Sequence, residues 1–173
     1  MDENEGIFWG IEFEKRFCYN EERTGKIRTG RLEKQEEKIM KVLLVNGSPK
    51  AKGCTYTALC ETQKVLNENG IETQIFYIGK ENINGCLACG GCAKTKKCVQ
   101  SAKVGEFLQL AASADGFVFA SPVHYAAASG ILTSFMDRAF FSGSDKLAFK
   151  PAAAVVSARR AGTTAALEQI TKY

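Results

Sequence analysis

Four of the chain's seven cysteines, Cys86, Cys89, Cys92 and Cys98, form a Cys-x-x-Cys-x-x-Cys run with a fourth Cys a few residues on. Thiolates are soft ligands for zinc or iron, and they are nucleophiles when their pKa is lowered. Gly85, Gly90 and Gly91 lie between and beside them, so the backbone can wrap a metal centre closely. Lys94, Lys96 and Lys97 would offset the charge of a thiolate-ligated cluster, and would equally activate free thiols. The acidic start, Met1-Asp-Glu-Asn-Glu, lacks a signal-peptide pattern, so a cytoplasmic, reducing compartment is the expectation and a disulfide framework is not. Three uses stay open on the sulfurs alone: a [4Fe-4S] cluster, a zinc site, or redox-active thiols.

A second chemistry-bearing stretch runs from Met40 to Thr57. Val42 to Val45 is a continuous apolar run that stops at Asn46-Gly47-Ser48-Pro49, which reads as a buried parallel strand. Ala58, Leu59, Thr62, Val65 and Leu66 then share one helical face, and Asn69-Gly70 ends it. Strand, polar loop and helix in that order place unpaired N–H groups and the positive end of a helix dipole where an anion fits. Ser48, Thr55 and Thr57 offer hydroxyls, Lys50 and Lys52 offer charge, and Cys54 lies beside them. The loop is not a nucleoside-triphosphate P-loop, because Cys54-Thr55 stands where that motif needs Lys-Ser/Thr. An ordinary strand-to-helix turn is the bland alternative.

The elements that must position these residues alternate. Thr73 to Ile78, Phe117 to Ala120 and Ala152 to Ser157 read as further strands. Helices are expected around Val104 to Ala111, Ile131 to Ala139 and Thr163 to Tyr173. That alternation specifies an open parallel α/β sheet with helices on both faces. Such sheets bind ligands beyond the carboxyl ends of their strands. Asn46 to Thr55, Ser121 to Tyr125 and Ser157 to Thr163 are the loops expected there.

At 173 residues the composition is that of one globular domain, and no apolar run approaches a membrane span. Residues 1–39 hold eight basic and ten acidic side chains, leaving fifteen basic and nine acidic from Met40 onward. That excess favours anionic ligands or an acidic partner, while the absence of a basic helix or arginine run gives no nucleic-acid signature. Residues 1–39 are expected to be a poorly ordered extension, with a short helix near Arg31 to Ile39. Gln35-Glu36-Glu37-Lys38-Ile39-Met40 reads as a translated ribosome-binding site, which makes Met40 the expected native start. His124 is the only histidine, so no multi-histidine metal site exists, and no Gly-x-Ser-x-Gly elbow supports a hydrolase. Cys60 reads as helix filler, Cys18 falls in the extension, and Asp137-Arg138 reads as a helix-surface or structural pair.

With Gly47-Ser-Pro-Lys in the first loop, Ser121-Pro-Val-His-Tyr after the third strand and Phe135-Met-Asp-Arg138 on the next helix, residues 40–173 resemble the flavodoxin-like NADPH-dependent FMN reductases. The cysteine run within loop 85–98 is similar to that of the iron-sulfur flavoprotein branch, and to bacterial ferredoxin runs apart from its last interval. The resemblance implies FMN, with its phosphate at Ser48, Lys50, Cys54 and Thr55. It implies a ring lying against Pro122, Val123, His124 and Tyr125, with Ser157 to Gly162 closing the other side. It implies a [4Fe-4S] cluster on Cys86, Cys89, Cys92 and Cys98. Cys54, His124 and Thr133 stand where the family often has Asn, Tyr and Lys. The family's domain also closes with a further strand and helix, so the chain reads as C-terminally truncated.

The expected function is a cytoplasmic FMN-dependent oxidoreductase moving electrons between NAD(P)H or a ferredoxin-type donor and an acceptor, with no side chain as chemical catalyst. Its partners would be a small-molecule donor or acceptor, or an acidic ferredoxin-like protein. Neither nucleic acid nor membrane is expected, and a homo-oligomer is. The alternatives are a cluster-free NAD(P)H-dependent flavin or quinone reductase, a non-enzymatic flavodoxin-type electron carrier, and a zinc-stabilised binding module.

Overall fold

The computed structural model describes residues 39–173. The expectations placed on residues 1–38, including the mobile extension, its short helix, Cys18 and the translated leader, lie outside the described residues. The elements run β1 (Lys41–Asn46), α1 (Cys54–Glu68), β2 (Glu72–Tyr77), α2 (Gly91–Thr95), α3 (Ala102–Ser113), β3 (Gly116–His124), β4 (Ala127–Ala128), α4 (Gly130–Leu147), β5 (Ala152–Ser157) and α5 (Thr163–Ile170). β1 pairs in parallel with β2 and β3, and β3 pairs in parallel with β5, giving the order β2-β1-β3-β5. The two-residue β4 folds back antiparallel on the end of β3.

Period-two alternation divides the core. Leu43, Val45, Phe117 and Phe119 face α3 and α4, whereas Leu44, Val118 and Ala120 face Leu59 of α1. The sheet is therefore covered on both faces, as an all-parallel sheet requires. Phe107 of α3 centres the larger layer, with ring centroids 5.1 Å from Phe135 and 5.5 Å from Phe76. Ser101 caps α3 by accepting the Val104 amide at 3.3 Å.

Three elements differ from expectation. β3 continues past Ala120 to His124, because Ser121 and Pro122 stay in register with Val156 and Ser157 of β5. The expected loop from Ser121 to Tyr125 is thus strand for most of its length. α4 runs on to Leu147 through a break at Gly143. The cysteine segment holds α2, a single turn bracketed by left-handed Gly90 and Lys96, which is too short for periodicity to reveal. Among the described residues no strand pairs with the outer edge of β5, and an apolar hollow lined by Phe119, Phe140, Phe149 and Tyr173 lies there. No described helix is long and apolar enough to cross a membrane.

Sequence neighbours leave β1 in opposite directions across the sheet, β2 on one side and β3 on the other. The loop after β1 and the turn after β3 therefore open a crevice at the carboxyl end of the sheet. That crevice is the candidate site.

Candidate cofactor site

The first loop is built from strand β1 outward. Asn46, wholly buried, accepts the Ser48 amide at 3.0 Å and donates to the Ala51 carbonyl at 3.2 Å, so its side chain folds the loop into a compact turn. The Ser48 hydroxyl accepts the Lys50 amide at 3.1 Å. Gly53 precedes α1 and supplies no side-chain cap, leaving the first turn of the helix open toward the crevice. Thr55, nearly buried, shares a hydrogen bond with Ser157 at 2.8 Å, tying the start of α1 to the end of β5. Tyr77 donates to the Pro49 carbonyl at 3.1 Å from the other side.

The second wall comes from the end of β3. Ser129, the N-cap of α4, donates to the Gly47 carbonyl at 2.7 Å, and its own amide donates to the Ser121 hydroxyl at 2.8 Å. One serine thus joins the first loop, the end of β3 and the start of α4. Gly47 sits where a Cβ would lie 2.7 Å from that of Leu132 and 2.9 Å from the Ala120 carbonyl oxygen, so only glycine fits.

Between these walls lies a cleft of about 520 Å³, lined by Ser48, Lys50, Cys54 and Thr55 on one side and Pro122, Val123 and His124 on the other. Ser157 and Arg159 complete it, and among the described residues no acidic side chain lines it. Tyr125 and Gly162, both expected at the ring, are not in this lining. Tyr125 stands fully exposed on a left-handed turn and lines an adjoining hollow with Arg159 and Arg160. Gly162, at φ 98°, lies under that turn, where a Cβ would come within 2.6 Å of Ala126 Cα. Arg159, which the sequence reading covered only by its range, is the second cation of the cleft beside Lys50.

The four cysteines are gathered differently. Cys86, Cys89, Cys92 and Cys98 all line one small hollow of about 20 Å³ with Leu87, Val99, Arg138 and Phe141. Their donor chemistry suits iron or zinc. Among the described residues, however, no three Cys, His, Asp or Glu side chains converge as a metal-holding group. Cys86 and Cys89 are exposed, while Cys92 and Cys98 are half-buried. Cys92 donates to the Phe141 carbonyl of α4 at 3.9 Å.

Of the helix-surface or structural roles expected of Asp137 and Arg138, the structural one is found, though the two side chains have different partners. Asp137 accepts a hydrogen bond from the Tyr173 hydroxyl. Burial first, and then this carboxylate, push the Tyr173 phenol above its ordinary pKa. Arg138 points inward to the cysteine segment and is only 4% exposed. On α1, a hydrogen bond with the Cys60 side chain raises the Tyr56 phenol above its ordinary pKa. Asn46 before Gly-Ser and Ser129 before Gly-Ile-Leu carried recognisable turn and cap signals. The burial of Arg138 carried none.

Thr55→Val removes the hydroxyl that reaches Ser157 while keeping the volume. It is expected to cost about 1.5 kcal/mol, because the Ser157 hydroxyl loses its partner. A urea midpoint within error of the parent protein would contradict the bond's role.

A family model described as NADPH-dependent FMN reductase matches residues 40–173. An iron-sulfur flavoprotein of Methanocaldococcus jannaschii is 34% identical over 99 residues, covering 57% of this chain and 51% of the relative. An iron-sulfur flavoprotein of Archaeoglobus fulgidus is 30% identical over 138 residues, covering 75% of this chain and 68% of the relative. The chain thus spans about half the length of the first of these relatives. Among solved structures, the flavoenzyme NAD(P)H:(acceptor) oxidoreductase FerB of Paracoccus denitrificans shares the fold, with TM-score 0.57 and 11% identity, covering 78% of this chain and 70% of FerB.

Proposed function

Because this chain belongs to the NADPH-dependent FMN reductase family, a family of flavin-dependent oxidoreductases, we propose that its crevice holds FMN and that it acts as an FMN-dependent oxidoreductase. The observation that carries this reading is the meeting of the Ser48 to Thr55 loop with Pro122, Val123 and His124 in one cleft at the switch point of the sheet. The cleft has the volume of a small-molecule site, roughly 300–1,000 Å³.

Bound FMN supplies two-electron exchange with a nicotinamide and one-electron exchange with a metal centre. The residues of this chain bind and orient it. Lys50 and Arg159 offset the phosphate charge, and the open first turn of α1 adds amide donors. The Ser48 and Thr55 hydroxyls are within the same lining. Pro122 and Val123 give the ring an apolar edge, while His124 and Ser157 border it with polar groups. The departures at Cys54 and His124 bear on phosphate contact and on packing of the ring.

In this reading Cys86, Cys89, Cys92 and Cys98 hold a [4Fe-4S] cluster. What supports it is their common hollow, the glycines among them and the two iron-sulfur flavoprotein relatives. Electrons pass between NAD(P)H or an acidic ferredoxin-like donor and an acceptor, in the cytoplasm. Lys94, Lys96 and Lys97, all exposed beside the hollow, suit an acidic electron carrier. A homo-oligomer belongs to the same reading, since a second copy would cover the outer edge of β5.

One observation favours a second reading, a cluster-free NAD(P)H-dependent flavin or quinone reductase: the cysteine side chains are not drawn together at a common point. Iron analysis separates the two.

Titration of FMN into the cofactor-free protein, followed by quenching of flavin fluorescence, tests the site. Saturation near one FMN per chain is expected, and Lys50→Ala should weaken binding about tenfold at low salt. Lys50 is exposed, so the loss should shrink as salt rises. An affinity insensitive to Lys50 and to salt would remove the phosphate from this loop.

A further inference from the structure

We propose that Arg138 is a positioning residue that clamps both ends of the cysteine segment to α4 and sets Cys98 for a metal centre. The inference rests on the reading of the four cysteines as metal ligands. Arg138 is the one charged side chain among the buried described residues. A buried guanidinium is costly unless its donors are satisfied. No carboxylate among the described residues forms an ion pair with it. Its partners are instead the Asn84 carbonyl through Nε, the Gly85 carbonyl through Nη2 at 2.8 Å, and the Cys98 sulfur through Nη1 at 3.5 Å.

Those partners are the two ends of the segment. Asn84 and Gly85 lead into Cys86, and Cys98 is the last of the four cysteines. A single planar fork therefore closes the loop at its root. The Phe141 carbonyl, one turn along the helix, meets the Cys92 sulfur from the same face. The Ser142 hydroxyl donates to the Arg138 carbonyl at 2.6 Å and stiffens that turn. The positive charge faces carbonyl dipoles and a sulfur, which is the setting that negative charge on a thiolate-ligated metal would complete. Lysine cannot replace the fork, because its single ammonium cannot span three partners with the same geometry.

The test uses cobalt(II) as the probe on the full chain, stripped of iron and reduced, because sulfur-to-cobalt absorption reports thiolate coordination. After cobalt loading, iodoacetamide labels whatever cysteines remain free, and peptide mass spectrometry locates them. In the parent protein Cys86, Cys89, Cys92 and Cys98 are expected to be protected together. In Arg138→Met, cobalt affinity should fall about tenfold, with Cys98 labelled while Cys86, Cys89 and Cys92 stay protected. Arg138→Lys should behave like Arg138→Met, and it carries the test if Arg138→Met does not fold. FMN affinity, measured on the same samples, should stay within about twofold, because Arg138 is outside the cleft.

Equal protection of all four cysteines in both variants would overturn the role of Arg138. Parent-like behaviour of Arg138→Lys would overturn it too, since charge alone would then suffice. A parent protein that binds no cobalt through these thiolates would instead overturn the reading of the cysteines as ligands, a result separate from either of these.

Discussion

Gly47→Ala is expected to lower stability by about 3 kcal/mol and to weaken FMN binding more than tenfold. The added Cβ would overlap the Cβ of Leu132, which is wholly buried at the start of α4, and the Ala120 carbonyl oxygen to which the Gly47 amide donates at 2.8 Å. Neither neighbour can yield cheaply. Leu132 is fixed in the core between β3 and the helices, and the carbonyl is part of the sheet. Relief requires the first loop to move away from α4, which breaks the Ser129 bond to the Gly47 carbonyl and shifts Ser48 from the cleft. A loss of about 3 kcal/mol is a large share of the stability of a domain of this size. Gly53→Ala is the control for stability, because the nearest atom to its new methyl is the Lys50 Cβ at 3.3 Å, a contact that a shift of a few tenths of an ångström in the exposed loop relieves. Urea unfolding of both variants, with FMN titration alongside, checks the pair. Equal midpoints would contradict the packing argument.

Cys92→Ala is expected to reduce iron from about four per chain to less than one, with FMN retained at about the parent affinity. If the four cysteines hold the proposed cluster, removing one leaves three thiolates on a segment whose Cys86 and Cys89 are exposed, and an incomplete cluster there would be open to solvent and oxidation. FMN should be unaffected because the lining of the cysteine hollow and that of the cleft share no residue. The two sites are joined only through the scaffold. α4 touches the first loop at Ser129 and the cysteine segment at Arg138, roughly 13 Å apart along the helix axis at 1.5 Å per residue. Iron and flavin quantified on one preparation decide it. Iron retained at the parent level, or zinc in its place, would contradict the assignment.

The sheet was legible because its central strands are short continuous apolar runs stopped by turn residues. Val42 to Val45 and Phe117 to Ala120 are apolar at every position, as strands covered on both faces must be. Their ends were less legible. Pro122 signals a stop, yet β3 runs through it in register with β5. The first-loop residues and Pro122, Val123 and His124 were legible as neighbours from the fold alone, since α/β sheets bring such loops to one edge. Tyr125 and Gly162 lie outside the lining of the cleft for a local reason. Left-handed backbone at Tyr125 and Ala126 turns that tyrosine into solvent, and Gly162 packs beneath the turn. The inward turn of Arg138 was not legible because an Asp-Arg pair on an amphipathic helix reads equally as a surface pair or a structural one. Only the tertiary contact with the Asn84 and Gly85 carbonyls makes its burial favourable.

The most direct test of a flavin-dependent oxidoreductase is the absorption spectrum of anaerobically purified protein, with FMN, iron and zinc quantified on the same sample after incubation with excess FMN and desalting. The account predicts about one FMN per chain, and flavin bands over broad sulfur-to-iron absorption with iron near four per chain. A folded protein that retains no FMN after that incubation would contradict it.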